Sequence, residues 1–263
     1  MLVVQARGIN GYKPWKFLAF TLTLCSLFFL VGNGWALDAD DIIKRVEDNL
    51  NGKTAFMKIT MKVKTARSER TIKMESWSIG KEKSFIKINY PLKDKGITFL
   101  KIDNAMWQYV PRIEKIIKIP SSMMMQSWMG SDFTHDDLVK ESSISDDYHK
   151  KILAANESIY EIELLPLEDA PVVWGRIVME VSKEHFLPVK VRYFDEDGVE
   201  VRILHYLDVK HFGDRMYPSR WLMQPLDERK AGHQTIVEIS DALFDREISE
   251  SYFTKRALKR YSM

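Results

Sequence analysis

Residues 94–138 read DKGITFLKIDNAMWQYVPRIEKIIKIPSSMMMQSWMGSDFTHDDL, and the fold turns on how this stretch changes character. Its first half has strand rhythm. Residues 97–102 and 106–110 predict a hairpin around Asp103-Asn104, residue types that tolerate tight-turn dihedrals. A further strand over 113–119 is bounded by Pro111 and Pro120. From Ser121 the rhythm breaks. Met124, Met125, Trp128 and Met129 have i, i+1, i+4, i+5 spacing, which predicts one stripe of a short helix that Gly130 ends. Thr134, followed by Asp137 three residues on, resembles a second helix start, with Asp where a capping box has Glu or Gln. One or two short helices thus interrupt a run of strands, like a wall and a movable cover for something apolar.

Outward from this stretch the period is mostly 2. Met57, Ile59, Met61 and Val63 share one face of a strand; Lys58, Thr60, Lys62 and Lys64 share the other. Strands follow over 71–79 and 84–90, and after the polar run 141–147 over 159–165, 176–181 and 189–194. Val199, Val201, Ile203, His205, Leu207 and Val209 give the longest alternation; strands over 217–224 and 233–242 close the series. The clearest helix is 38–50. Ile42, Ile43, Val46 and Leu50 lie on one face, acidic residues fill the first turn, and Gly52 stands where a C-terminal cap belongs. Residues 249–258 read as a short tail helix. About a dozen antiparallel strands with no linker or repeat must curl or close to manage their edges. The expected fold is mainly β with a few helices: one strongly curved antiparallel sheet, an incomplete, half-open barrel, with helices packed in its concave mouth.

Residues 1–36 read as a targeting segment. Lys13 and Lys16 precede an apolar run of about 15 residues, and Gly34-Trp35-Ala36 offers a small-x-small cleavage site. A spanning helix needs about 20 residues. An uncleaved anchor is the alternative. Leu24 before Cys25 is not the small residue of a lipobox. The expected organisation is a signal peptide, 1–36, then a single domain, 37–263, exported to the periplasm. Cleavage removes the only cysteine, so stability rests on burial rather than disulfides. It also removes Arg7, Lys13 and Lys16, leaving 36 basic against 37 acidic residues. That balance argues against nucleic acid as a partner.

No motif carries chemistry. The six histidines form no pair at metal-ligand spacing, and there is no nucleophile elbow, P-loop or dinucleotide-binding glycine pattern. His135-Asp136-Asp137 reads as a solvated helix start rather than a ligand set. No catalytic residue, metal site or cofactor is nominated, and the expectation is a protein that is not an enzyme. The methionine and tryptophan cluster has two readings. It is ordinary core, or it is an adaptable surface for variable apolar ligands, for which methionine suits. Trp107, Tyr109 and Trp128 suit a boundary between apolar ligand and water, or plain cross-strand packing. Gly130-Ser131-Asp132 reads as a hinge or a turn.

Three elements also resemble a known family: Gly96-Ile97-Thr98-Phe99-Leu100, Trp107-Gln108-Tyr109-Val110-Pro111 and Met129-Gly130-Ser131-Asp132-Phe133. With the export signal, the N-terminal helix and the meander, they resemble the LolA/LolB-like superfamily of bacterial lipoprotein carriers. Within it they are most similar to the "outer membrane lipoprotein-sorting protein" branch, where a Phe-Met-Gly-Ser-Asp-Phe element recurs; Trp128 stands here in place of the first Phe. The resemblance implies a half-open barrel around helices, with an apolar cavity for acyl chains of lipid or lipoprotein. It implies partners in the envelope, an inner-membrane export or transport complex or an outer-membrane acceptor. The expected cavity and lid residues are Phe99, Trp107, Tyr109, Met124, Met125, Trp128, Met129 and Phe133, with Gly130 as the hinge. The competing expectation is a non-enzymatic interaction or sensor module of the same fold, serving an envelope export system, with its cavity filled by its own side chains.

Overall fold

The structure is a computed structural model and describes residues 37–140, 144–170 and 172–263. The expected signal peptide lies outside the described residues. Among the described residues no helix is long and apolar enough to cross a membrane.

Helix α1 (Ala39–Asn51) forms as its sequence dictates. The Asp38 carboxylate accepts the Asp41 N–H at 2.8 Å, Asp40 and Asp41 favour the N-terminal end of the dipole, and Ala39, Ile42, Ile43 and Val46 make a buried stripe. Arg215 donates to the Asp48 and Asn49 carbonyl oxygens at the helix end and pairs with Asp245 at 2.7 Å.

Among the described residues, thirteen strands form one antiparallel sheet. They are β1 (Thr54–Lys64), β2 (Glu69–Ile79), β3 (Lys83–Tyr90), β4 (Thr98–Ile102), β5 (Ala105–Val110), β6 (Lys115–Lys118), β7 (Tyr148–Ala155), β8 (Ile159–Pro166), β9 (Arg176–Ser182), β10 (Pro188–Phe194), β11 (Glu200–Phe212), β12 (Arg215–Pro225) and β13 (Gln234–Phe244). The spatial order is β6-β5-β4-β3-β2-β1-β13-β12-β11-β10-β9-β8-β7. The first and last strands therefore pair at the centre, and β6 and β7 are opposite edges. The sheet is open, not a closed barrel.

That order dictates the rest. The chain leaves one edge at β6 and re-enters at the other with β7, so the intervening strap must cross the sheet's whole width. It does so over the inner face. Trp128 packs on Phe99 of β4 at 5.4 Å between ring centroids. Asp132 accepts the Thr235 hydroxyl of β13 at 2.8 Å. Asp137, in helix α2 (His135–Lys140), pairs with Arg202 of β11. Helix α3 (Ile144–Asp147) then reaches α1, where Glu47 accepts both the N–H and the hydroxyl of Ser145.

Several expectations need correction. The methionine stripe is not a helix: Ser121–Met123 and Trp128–Gly130 are single 3-10 turns. Ser127 between them is extended, and Met129 and Gly130 have φ of 51° and 69°, which no right-handed helix admits. His135, Asp136 and Asp137 are buried rather than solvated, because the strap presses them onto the sheet. Strand β7 was not read from the sequence; its lysines and alanines are those of an exposed edge. In β11 the buried set is Arg202, Leu204 and Tyr206, the complement of the expected face. Both faces of that strand carry apolar residues, so alternation alone does not choose between them.

The inner core joins α1, the strap and the inner sheet face. A second, smaller core lies on the outer face, where helix α4 (Lys255–Arg260) covers Phe85, Leu100 and Tyr109. Tyr252 stacks on Trp77 at 4.8 Å, and Thr98 donates to the Leu258 carbonyl oxygen at 2.7 Å. Helices α1 to α3 thus fill the mouth, whereas α4 seals the opposite side.

Candidate functional site: an apolar cavity under a strap

Between α1, the strap and the inner sheet face lies a cavity of about 250 Å³. Helix α1 contributes Ile43, Val46 and Leu50; the strap region contributes Trp128, Phe133, Leu138 and Ile144. The sheet contributes four methionines, Met57, Met61, Met74 and Met179, and the aromatic residues Tyr206, Tyr217 and Trp221. Thioethers on flexible stems adapt to the shape of an apolar guest. The methionines that matter here stand in the strands, not in the strap.

The strap is rigidly tied. Trp128 N–H donates to the Phe133 carbonyl oxygen at 2.8 Å, and the Ser131 hydroxyl donates to the Trp128 carbonyl oxygen at 2.7 Å. The Thr134 N–H donates to the Asp137 carboxylate at 2.7 Å, while the Asp137 N–H returns to the Thr134 hydroxyl at 3.2 Å, a reciprocal cap. A Cβ on Gly130 would lie 3.1 Å from the Arg70 guanidinium, so the positive φ and the close approach both favour glycine there.

At one end the cavity turns polar. Glu47, Lys81, Lys101 and three serines line it, and Lys81 pairs with Asp146 of α3. Burial raises the Glu47 pKa against the opposing pull of its Ser145 hydrogen bonds. Burial works against a charged Lys81, but the Asp146 hydrogen bond and the nearby carboxylates outweigh it and raise its pKa. Burial lowers the pKa of His135 in the strap.

Of the expected residues, Trp128 and Phe133 line the cavity. Phe99 lies beneath Trp128 in the same core, and Met124 and Met129 pack half-buried at its margin. Met125 points outward, 46% exposed. Trp107 and Tyr109 are displaced to the other core under α4, because their strand parity places them on the outer face with Leu100. They do not reach the cavity. The sequence reading expected helix α1 but did not nominate its Ile43, Val46 and Leu50, the strand methionines or the polar end as cavity lining. The alternation of β1 marked Met57 and Met61; nothing local marked Glu47 or Lys101.

A family model described as "Uncharacterized protein" matches residues 80–260, from the β2–β3 turn to the end of α4. The chain belongs to this family. No curated protein matches it. Among the solved structures that match the chain, three illustrate its fold. A DUF1329 family protein from Desulfovibrio piger has 20% identity and a TM-score of 0.76, covering 84% of this chain and 97% of that one. An outer membrane lipoprotein-sorting protein domain from Vibrio parahaemolyticus has 22% identity and a TM-score of 0.73, covering 84% and 98%. A LolA superfamily protein from Nitrosomonas europaea has 18% identity and a TM-score of 0.71, covering 84% and 100%. The fold of this family member is thus LolA-like, as the sequence motifs led one to expect.

Proposed function

We propose that the protein is a periplasmic carrier that holds acyl chains of lipid or lipoprotein in its cavity and moves them within the cell envelope. One observation carries this reading: a methionine-rich apolar cavity of about 250 Å³ beneath a strap that crosses the whole sheet. The likeness to a lipoprotein-sorting protein domain supports it. Residues 1–36 act as the cleaved signal peptide, and the carrier works as the single domain 37–263. The chemistry is transfer from water. Each buried methylene contributes about 0.8 kcal/mol, so a dozen give about 10 kcal/mol gross, reduced by ordering costs. Such a mechanism needs no catalytic group. Trp128 and Phe133 are the strap's contacts with the chain, and Gly130 permits the tight turn that presents them.

Titration with a fluorescent acyl probe tests this. Saturable uptake is expected, competed by unlabelled fatty acid. Met57 lines the cavity from β1, so M57W fills it and abolishes uptake while the fold remains. Uptake unchanged in M57W would place any bound probe elsewhere and remove the carrier reading.

A further inference from the structure

Charge is balanced over the chain but not over its outer face. Residues 37–263 carry 36 basic and 37 acidic residues, whereas segments 112–118 and 255–260 together carry seven basic residues and one acidic, Glu114. The fold lays these two segments side by side. At one end the Trp107 ring centre lies 5.9 Å from the Lys118 ammonium of β6 and 4.8 Å from the Lys255 ammonium of α4. At the other end Gly96 lies against both Pro111 and Ser262, so the turn that carries Arg112 adjoins the end of α4. Arg112, Lys118, Lys255, Arg256, Lys259 and Arg260 are all exposed, and among the described residues none of them pairs with a carboxylate.

Stability of the fold does not account for this collection. Lys259 and Arg260 suit the C-terminal end of the α4 dipole, and an edge lysine such as Lys118 deters strand pairing. Lys255 and Arg256, however, are the first two residues of α4, where the dipole disfavours a cation, and no acidic residue stands in that turn. Apolar groups share the surface. Strand register sets Ile116 opposite Tyr109 on the outer face, where it is 42% exposed, and Trp107 is only half-buried.

We infer that this face docks the protein on an anionic phospholipid surface, with the six cations on the headgroup phosphates and Trp107 and Ile116 at headgroup level. A helix that buries Ala257 and Leu258 and turns four cations outward presents charge rather than a shaped pocket. Mobile headgroups match such a row without a fixed counterpart. A half-buried indole between two ammonium groups, beside an exposed isoleucine, has the composition of a membrane-interface element. The docked edge is the one from which the strap departs. The inference goes beyond the carrier reading and does not rest on it.

The test is co-sedimentation of the protein, purified from the periplasm of a host expressing the full chain, with two kinds of vesicle. One is phosphatidylcholine alone; the other is phosphatidylcholine and phosphatidylglycerol in equal parts. Binding to the anionic vesicles should be roughly tenfold or more tighter, and should weaken as salt is added. K255Q/R256Q should lose roughly tenfold or more of that binding while keeping its Tm, because both side chains are exposed. K44Q/K210Q removes the same charge from exposed positions on α1 and β11 and should bind as the wild type does. M57W, whose cavity is filled, should also dock as the wild type does. Equal binding to both vesicles, no binding to the anionic ones, or an undiminished K255Q/R256Q overturns the docking face; so does an equal loss in K44Q/K210Q or in folded M57W. None of these results bears on acyl uptake by the wild type, which is measured separately.

Discussion

Arg202 of β11 and Asp137 of α2 close a two-pronged ion pair, 2.7 Å between Nη1 and Oδ2, with both side chains 6% exposed. The guanidinium centre also lies 4.2 Å from the ring centroids of both Trp174 and Tyr193, which pack on each other. The pair joins the strap to the sheet at its far side, and the same carboxylate caps its own helix. Buried pairs of this kind are costly to break, because removing one partner strands the other's charge. D137A should therefore lose about 3–5 kcal/mol of stability, read from urea unfolding. A D137L/R202M double variant should lose much less than the sum of the two single changes. A loss under about 1 kcal/mol in D137A would show the pair to be ornamental.

Gly130 predicts a smaller, local effect. G130A forces an L side chain into φ of 69° and against Arg70. It should cost about 1–2 kcal/mol, seen as a lowered Tm. R70A should relieve part of the cost in the double variant, since the steric component is then gone. Absence of any relief would locate the whole penalty in the backbone.

The outer core tests a different part of the fold. A Cβ on Gly96 would lie 2.5 Å from the Ser262 carbonyl oxygen, a backbone atom that cannot step aside cheaply. G96A should detach the C-terminal segment from β4. Amide exchange should rise across residues 255–262 and leave α1 protected. Uniform exchange change would contradict the separation into two cores.

His135 gives the pH dependence. Burial lowers its pKa below the ordinary 6.5. In the unfolded chain it charges as pH falls through 6.5, whereas the folded state resists the proton. Stability from this group is therefore full above pH 6.5 and falls as pH drops toward the folded value. A variant H135N, which cannot titrate, should show a shallower stability loss over that window. Parallel curves for the two proteins would mean that His135 does not contribute.

The sequence carried the open antiparallel sheet because its signals are local. Met57 to Val63 alternate, Asp38 caps α1 and Gly52 ends it, and each strand end has its own turn chemistry. It also placed the strap, since the strand rhythm fails at Ser121. The inside of the strap was not legible. Met124, Met125 and Met129 have helical spacing, but positive φ at Met129 and Gly130 breaks the helix, in a turn seated on the sheet by Trp128 against Phe99 and Asp132 on Thr235, contacts that no local pattern shows. Trp107 and Tyr109 looked like ligand contacts because aromatic residues at a strand end serve either face. The α4 helix, more than 140 residues later, decides which. Lys101 was invisible for the same reason: a lysine in a strand reads as solvent-facing until β3 and α1 are placed around it.

The carrier reading is tested most directly by what the protein already holds. The full chain would be expressed in a Gram-negative host, purified from the periplasm without detergent, and examined by native mass spectrometry with extraction of bound material. The account predicts a protein that begins at Leu37 and carries a stoichiometric acyl species that M57W lacks. A protein that is empty, and that stays empty after exposure to acyl ligands, would contradict it.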